Sequence, residues 1–347
     1  GGIRSGSDGD FAPTGETLAF ILGGDSLEAR LKVVLLLGPD GALARGDIVH
    51  VAPAAPEDDP MKAPLRLSPE ALALLLFGEA RGPAFSTQFP AQRIETPLEW
   101  HDLVLHPGTR SQVAEIEAWI AHGPTLMERW GMGRVLRPGY RSLFYGPPGT
   151  GKTMTAMLIG KATGRPVYRI DLSLVVSKYI GETEKNLARV FDGAQSRGWI
   201  LFFDEADALF GKRGESKDAH DRYANQEVSF LLQRVETFDG IAILASNLRD
   251  NIDQAFARRF ESIIHFPVPR ADERLVLWRQ GIPAQATLAG DVDLEAIARD
   301  HVLTGGAIMN AVRFAALAAL AEGGRPIARA HLVQAIRREY SKEGRSA

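Results

Sequence analysis

The stretch of sequence that decides the fold is residues 146–153, which read Gly146-Pro147-Pro148-Gly149-Thr150-Gly151-Lys152-Thr153. A glycine, four residues and then Gly-Lys-Thr form the pattern of a loop that binds phosphate. An apolar strand is predicted directly before it, over residues 141–145, and a helix directly after it. Glycines let the backbone N–H groups turn towards phosphate oxygens, and the helix N-terminus adds a partial positive charge. The alternative is a simple turn between strand and helix, which the completeness and placement of the pattern disfavour.

The last two residues of this loop have the side chains that nucleotide phosphates require. We expect Lys152 to reach the β- and γ-phosphates and the hydroxyl of Thr153 to bind Mg²⁺. The sequence therefore predicts a site for ATP and Mg²⁺ where the strand ends.

Two adjacent carboxylates, Asp204 and Glu205, follow a second apolar strand about fifty residues later. Neighbouring residues at a strand end point to different sides, so the two groups are free to take separate roles. We expect Asp204 to bind Mg²⁺ and Glu205 to polarise the attacking water. The alternative is that Asp204 only caps the helix predicted next.

Three polar residues further along the chain are candidates for the same site. Asn247 closes an apolar strand, where it is placed to orient water or contact the γ-phosphate; a turn-forming Asn is the alternative. Either Arg258 or Arg259 is expected to contact a γ-phosphate bound by a neighbouring subunit, which would make hydrolysis depend on assembly. The alternative for this pair is a basic helix end in solvent.

A candidate for contact with a macromolecular substrate follows the second predicted strand and reads Lys178-Tyr179-Ile180-Gly181. An exposed aromatic and aliphatic pair on a Gly-terminated loop is suited to gripping an extended chain. The alternative is that Tyr179 packs in the core. Residues 211–222 are polar, and they predict either a second loop of this kind or a solvated loop.

Short apolar segments alternate with helix-length segments between residues 141 and 267. The run Trp199 to Phe203 has no polar alternation, so its strand is covered on both faces, as in a parallel sheet. Repeated βαβ units predict an α/β fold with a doubly wound parallel sheet. After about residue 270 only helices are predicted, which indicates a small helical lid.

Residues 1–97 differ from the rest of the chain in their sequence pattern. A helix, helix, strand, turn, strand, helix order predicts a small α+β module that resembles a winged helix. The predicted organisation is a disordered segment at 1–15, a winged-helix-like domain at 16–97, an α/β ATPase domain at 98–268 and a helical lid at 269–347.

Composition narrows the class of protein. The 347 residues are 45% apolar and 24% charged, as in a globular protein, and none is a cysteine, so disulfides and thiolate metal sites are excluded. Residues 1–97 carry 8 basic against 13 acidic residues, a net −5, which disfavours binding to nucleic acid. No secretory signal and no membrane-length apolar run is visible, so a cytoplasmic protein without a membrane partner is expected.

Taken together, the motifs resemble the AAA family of ATPases, from about Trp100 to the C-terminus. Gly146 to Thr153 matches the Walker A motif, and Ile200 to Glu205 matches Walker B. Ser177 to Leu187 is similar to the family's first pore loop, and Leu303 to Ile308 to the start of its lid helix. The resemblance assigns Asn247 to the polar sensor and Arg258 and Arg259 to the arginine fingers.

The resemblance also implies partners and further binding residues. It implies a ring, most simply a homohexamer, that threads or remodels a protein substrate through its pore loops. Nucleotide contacts outside the phosphate loop are implied for the backbone near Asp102 and Val104, for Met154 and for Gly306.

The sequence departs from part of the family in two places. The two candidate finger residues, Arg258 and Arg259, are adjacent, whereas many members separate them, so which of them reaches the neighbour stays open. The lid helix begins with two glycines where some relatives have a phosphate-sensing Arg, and Arg313, later on that helix, is either such a sensor or a surface residue.

Three functions stay open at this point. The first is a protein-remodelling ATPase, and the chain as a whole resembles bacterial ATPases encoded with phage-tail-like contractile injection systems. The second is an ATPase that acts on DNA through the winged helix, and the third is an assembly scaffold switched by nucleotide. Tyr179 distinguishes them, because only the first needs its side chain.

Overall fold

The structure, a computed structural model, describes residues 2–5, 10–38, 41–45, 48–51, 59–78, 83, 85–86, 89–172, 182–207, 229–247, 257–342 and 344. The chain divides into two compact units, Gly1–Phe89 and Pro90–Ala347. This division precedes the predicted boundary at residue 97, because a strand at residues 91–94 joins the sheet of the second unit.

The described residues of the first unit form two antiparallel strand pairs and four helices. Its elements are β1 (Gly2–Ser5), β2 (Asp10–Pro13), α1 (Gly15–Gly23), α2 (Leu27–Leu37), α3 (Ala42–Arg45), β3 (Val49–Val51), β4 (Leu65–Leu67) and α4 (Pro69–Phe77). From α1 onwards the order follows the one predicted from sequence, except that the four-residue helix α3 before β3 was not predicted. Residues 1–15 were predicted to be disordered, and this prediction was wrong where β1 pairs antiparallel with β2.

Local chemistry determines where the helices of this unit begin. The hydroxyl of Thr14 accepts from the N–H of Thr17 ahead of α1, and Ser26 and Ser68 cap α2 and α4 in the same way. A small core forms around Val33 and packs α1 and α2 against β3 and β4. The likeness of this unit to a winged helix stays a prediction.

The second unit is built on a six-stranded sheet. Its elements are β5 (Ala91–Ile94), α5 (Pro107–Pro124), β6 (Tyr140–Tyr145), α6 (Lys152–Thr163), β7 (Val167–Asp171), α7 (Glu182–Arg197), β8 (Ile200–Asp204), α8 (229–237), β9 (Ile241–Ser246), β10 (Ser262–His265), α9 (Ala271–Gly281), α10 (Leu294–Asp300), α11 (Gly305–Ala321) and α12 (Arg329–Lys342).

The strand order is β10-β6-β9-β8-β7-β5, and all pairs are parallel except β7 with β5. The five parallel strands and the doubly wound α/β class are confirmed. Helices cover both faces of the sheet, as the apolar strand at 199–203 predicted. Ile116 and Ile159 pack on one face, and on the other face the ring centroid of Phe191 lies 6.0 Å from that of Phe203. Because every parallel strand ends at the same edge, that edge collects the loops after β6, β8 and β9.

Four helices, α9 to α12, follow the sheet, as predicted. Their core includes the fully buried Trp278, Ile308 and Leu332. The buried Arg274 anchors the segment that connects sheet and helices, because its guanidinium donates to the carbonyl oxygens of Pro269 (2.6 Å) and Ala298 (2.7 Å). The lid is therefore tied to the sheet edge at which the predicted site residues lie.

Candidate nucleotide site

The phosphate loop runs from the end of β6 to the start of α6 and follows a path that glycines permit. Gly149 and Gly151 have φ of 76° and 99°, in the region that other residues rarely adopt. Inside the loop, the hydroxyl of Thr150 donates to the carbonyl oxygen of Pro147 at 2.9 Å. The predicted strand, loop and helix are thus present, with the N-terminus of a twelve-residue helix behind the loop.

The ammonium group of Lys152 is buried among oxygen acceptors. Its Nζ donates to the carbonyl oxygens of Gly146 (2.6 Å) and Pro147 (3.0 Å) and to Oδ1 of Asn247 (3.0 Å). Burial lowers the pKa of Lys152 to about 8, and nearby carboxylates, Asp204 foremost, oppose this shift. The phosphate loop and the predicted sensor are therefore joined through one cation.

The two carboxylates at the end of β8, Asp204 and Glu205, differ in how far they are exposed to solvent. Asp204 is half-buried and its Oδ1 accepts from the N–H of Glu205 at 3.0 Å. Glu205 is exposed and has a φ of 52°, which is rare for a residue with a side chain. Such backbone conformations are often found at functional sites.

Asp207 belongs to this cluster, although the sequence analysis did not single it out. Its Oδ1 accepts from the hydroxyl of Ser246, and its Oδ2 accepts from the N–H of Asn247 at 3.1 Å. The signal in the sequence was a third carboxylate close behind Asp204 and Glu205. Its contacts depend on β8 and β9 being neighbours in the sheet.

A cavity of about 570 Å³ brings these groups together, a volume that is usual for a ligand site. The predicted residues that line it are Asp102, Val104, Pro148, Gly149, Thr150, Gly151, Lys152, Thr153, Met154, Asp204, Glu205, Asn247 and Gly306. Gly146 and Pro147 contribute instead the carbonyl oxygens that accept from Lys152.

One part of the cavity is apolar and comes from two distant segments. Leu103 and Leu105 flank the predicted backbone contact at Val104, and Leu277 and Met309 face the cavity from the lid. The amide of Gln280 on α9 donates to the carbonyl oxygen of His101 at 2.9 Å and so links the two segments. Glu273, Leu277 and Gln280 share one face of α9, a spacing visible in the sequence, but only the tertiary structure places that face on the cavity.

The lid helix α11 meets the phosphate loop directly. The N–H of Gly306 donates to the carbonyl oxygen of Gly149 at 2.9 Å. A Cβ on Gly149 would lie 2.8 Å from the hydroxyl oxygen of Thr304, the residue that caps α11. A Cβ on Gly306 would likewise lie only 3.1 Å from the Cα of Gly149, so the close contact depends on the glycines at 149 and 306.

Arg258 and Arg259 are placed away from this cavity. Both are exposed and lie before β10, at the amino ends of the strands, and neither is among the described residues that line the cavity. Arg259 forms an ion pair with Glu236. Arg313 is also exposed, with its guanidinium 3.3 Å from Oδ1 of Asn310 on its own helix.

The predicted substrate loop, Lys178 to Gly181, and the polar segment 211–222 lie outside the described residues. Among the described helices, none is both long and apolar enough to cross a bilayer.

Comparison with known proteins agrees with the geometry. Residues 142–268 match the family described as "ATPase family associated with various cellular activities (AAA)". An uncharacterized AAA family ATPase of Sinorhizobium fredii is 36% identical over 133 residues, which are 38% of this chain and 40% of that protein.

Two further relatives have longer matches. The proteasome-activating nucleotidase of Methanothermobacter thermautotrophicus is 33% identical over 216 residues, 59% of this chain and 51% of the relative. The ATP-dependent zinc metalloprotease FtsH 3 of Sphaerobacter thermophilus is 35% identical over 205 residues, 56% and 41% of the two chains. The chain thus spans about half or less of the length of these relatives.

Proposed function

This chain contains an AAA family ATPase domain, and from that premise we propose that it binds ATP and hydrolyses it to ADP and phosphate. The observation that carries the proposal is the position of the Lys152 ammonium between the phosphate loop and Asn247, in the cavity that Asp204 and Glu205 also line. Members of the family are nucleotide hydrolases.

The cavity offers separate surroundings for the two ends of a nucleotide. The phosphate loop, the N-terminus of α6 and Lys152 supply N–H groups and positive charge for the phosphates. The apolar part around Val104 and Leu277 suits a purine ring.

The oxygen donors at this site fit Mg²⁺. The Thr153 hydroxyl and the Asp204 carboxylate both line the cavity, and Mg²⁺ typically takes one or two protein oxygens together with substrate phosphates. When bound, the ion neutralises charge that develops on the phosphates.

Glu205 is the residue we assign to the attacking water. Its carboxylate is exposed at the cavity, so it is free to accept a hydrogen bond from water and orient the oxygen for in-line attack. Asn247 also lines the cavity and its Oδ1 accepts from Lys152, so we assign it to contact with the γ-phosphate.

We further propose that a second copy of the chain completes the site. An exposed arginine pair at the amino ends of the strands is too far from its own phosphate loop and is suited to reach a neighbour's nucleotide. Head-to-tail contacts of this kind close into a ring, and a homohexamer is the assembly we propose. AAA proteins usually form ring oligomers that act on protein substrates, and we propose the same for this chain, with Tyr179 gripping the substrate.

The first unit is proposed to recruit a protein partner. It is acidic overall, and α4 exposes the large apolar side chains of Leu75, Leu76 and Phe77, which contact with a protein would cover. The resemblance to ATPases of contractile injection systems stays a prediction.

The steady-state ATPase rate, measured against protein concentration with the molecular mass of the same samples, tests the proposal. A rate per subunit that rises as oligomers form, and is lost in Glu205→Gln, is the expected result. A constant rate from a monomer would contradict the shared site and favour the scaffold function.

Two further tests distinguish the substrate class. Tyr179→Ala is expected to abolish remodelling but retain basal hydrolysis. Salt-dependent DNA binding would instead favour a DNA-acting ATPase.

A further inference from the structure

Asp207 connects the catalytic turn to the sensor strand, and we propose that it is a positioning residue that holds Asn247 in place for hydrolysis. Its two carboxylate oxygens accept from two consecutive residues of the sensor strand, Ser246 and Asn247. The inference rests on the proposed ATPase function, and it adds Asp207 to the residues that this function requires.

The need for this contact arises from the sheet. β9 pairs with β8 only as far as Leu244, opposite Phe203, whereas it continues beside β6 to Ser246. Beyond Leu244, the described contacts on the β8 side of β9 come from the residues that follow β8. The N–H of Ala206 donates to the carbonyl oxygen of Ala245 at 2.8 Å, and Asp207 then accepts from the next two residues.

The turn that makes these contacts also carries the proposed catalytic carboxylate. Glu205 has its rare φ of 52° immediately before Ala206 and Asp207. Ala206 and Asp207 both form hydrogen bonds with the end of β9. These bonds hold the turn after β8 against the neighbouring strand. Asp207 thus restrains Glu205 and Asn247 relative to each other.

The chemistry of the contact suits a carboxylate. The Ser246 hydroxyl and the Asn247 N–H donate to different oxygens of Asp207, and a carboxylate presents one acceptor oxygen to each. From Asn247 the connection continues, because its Oδ1 accepts from Lys152 Nζ at 3.0 Å. An asparagine at 207 would turn an N–H₂ group towards one of the two donors, and an alanine would remove both acceptors.

The experiment compares the chain of 347 residues with its variants Asp207→Ala, Asn247→Ala and the double variant. We measure kcat at saturating ATP, the Kd of a fluorescent ADP, and hydrogen exchange at the Asn247 amide. Asp239→Ala is the matched control, because Asp239 is an exposed carboxylate beyond the opposite end of β9.

We expect Asp207→Ala to lower kcat roughly 10- to 100-fold, as is usual when a partner that orients a functional group is removed. The Kd for ADP stays near the wild-type value, the Asn247 amide exchanges faster, and the control behaves as wild type. The double variant has the kcat of Asn247→Ala alone, because Asp207 acts through Asn247.

An unchanged kcat in Asp207→Ala, or a double variant whose loss is the product of the two single losses, would overturn the role of Asp207. If Asp207→Ala does not fold, Asp207→Asn and Ser246→Ala carry the same comparison, with a smaller loss expected for Ser246→Ala because the bond to the Asn247 N–H is kept. A wild-type chain without ATPase activity would refute the proposed function alone. In that case an Asn247 amide that exchanges no faster in Asp207→Ala would still refute the positioning role.

Discussion

At the scale of single residues, Lys152 combines a buried position with a charge that the substrate needs. Burial lowers the pKa of Lys152 to about 8, so in the empty site the ammonium loses its proton as pH rises through that value. Bound phosphates favour the charged form, and binding above this pH has to take up a proton.

We therefore expect the affinity for ATP to fall between pH 7 and pH 9, approaching about tenfold per pH unit above the pKa. Calorimetry in two buffers with different ionisation enthalpies measures the proton uptake directly. Lys152→Ala serves as the control, since it has no proton to gain here. Binding at pH 8.5 without proton uptake in the wild-type chain would contradict the prediction.

The arginine pair is a second question at this scale, and the structure separates its members. Arg259 is engaged in its own subunit by Glu236, whereas Arg258 is exposed beside it. We expect Arg258→Ala to lower the rate of the assembled protein by roughly the 10³-fold associated with arginine fingers.

Arg259→Ala removes a partly exposed ion pair, which is worth about 0–1 kcal/mol in the free energy of unfolding. Mixing Arg258→Ala with Glu205→Gln subunits completes the test. Each variant is expected to be inactive alone, but in a mixed oligomer the Arg258 of a Glu205→Gln subunit can reach a site whose Glu205 is intact, and activity returns. A larger rate loss in Arg259→Ala than in Arg258→Ala would reverse the assignment.

At the scale of elements, the phosphate loop and the lid helix α11 touch through glycine backbone. Gly149→Ala puts a Cβ 2.8 Å from the Thr304 hydroxyl oxygen at a φ of 76°, so the capping side chain has to shift and the backbone at residue 149 is strained. We expect the variant to bind ATP roughly 5- to 150-fold more weakly, which corresponds to a backbone strain of 1–3 kcal/mol. Gly290→Ala is the control, since its Cβ meets no atom within 4 Å. Equal affinities in the two variants would show that the contact does not matter for binding.

A second device at this scale joins the amino ends of β6 and β10. The buried Arg141 donates through Nε to Oε2 of Glu261 at 3.0 Å, and its Nη1 donates to the carbonyl oxygen of Glu236 at 2.9 Å. Glu236 in turn pairs with Arg259 through its side chain. These contacts of Arg141, Glu261 and Glu236 therefore support the turn that carries the arginine pair.

We expect Glu261→Ala to lower the free energy of unfolding by about 3 kcal/mol, because it leaves the Arg141 charge buried without its partner. Urea denaturation of the second unit measures this. Lys32→Ala in the first unit, whose ion pair with Glu28 is exposed, is expected to change little. A loss below about 1 kcal/mol for Glu261→Ala would show that water reaches Arg141 instead.

At the scale of the whole molecule, the chain separates into two units with their own cores. All described residues that line the nucleotide cavity belong to the second. We expect a chain of residues 90–347 to fold and to keep its affinity for ADP, while losing the proposed protein partner. Fluorescence anisotropy with labelled ADP tests the first outcome, and pull-down of the partner tests the second. Loss of ADP binding would mean that residues before 90 are needed for the stability of the second unit.

The sequence by itself determined the parallel sheet, the phosphate loop and the identity of about half of the residues that line the cavity. These follow from local rules: an apolar strand without alternation is buried on both faces, and Gly-rich loops before a helix bind phosphate. It did not determine the pairing of β1 with β2, the edge strand β5 or the boundary near residue 90. Short strands such as Ala91–Ile94 carry little apolar signal and form only because a neighbour offers backbone partners.

The tertiary structure alone decided how the site is connected. Asp207 lies on one loop and Asn247 on another, forty residues apart, and they meet because β8 and β9 are neighbours in the sheet. Likewise Gly306 contacts Gly149 only because α11 folds back over the phosphate loop. Hydrogen bonds act over about 3 Å, so which groups share one depends on strand order and helix docking, and these result from the packing of the whole unit.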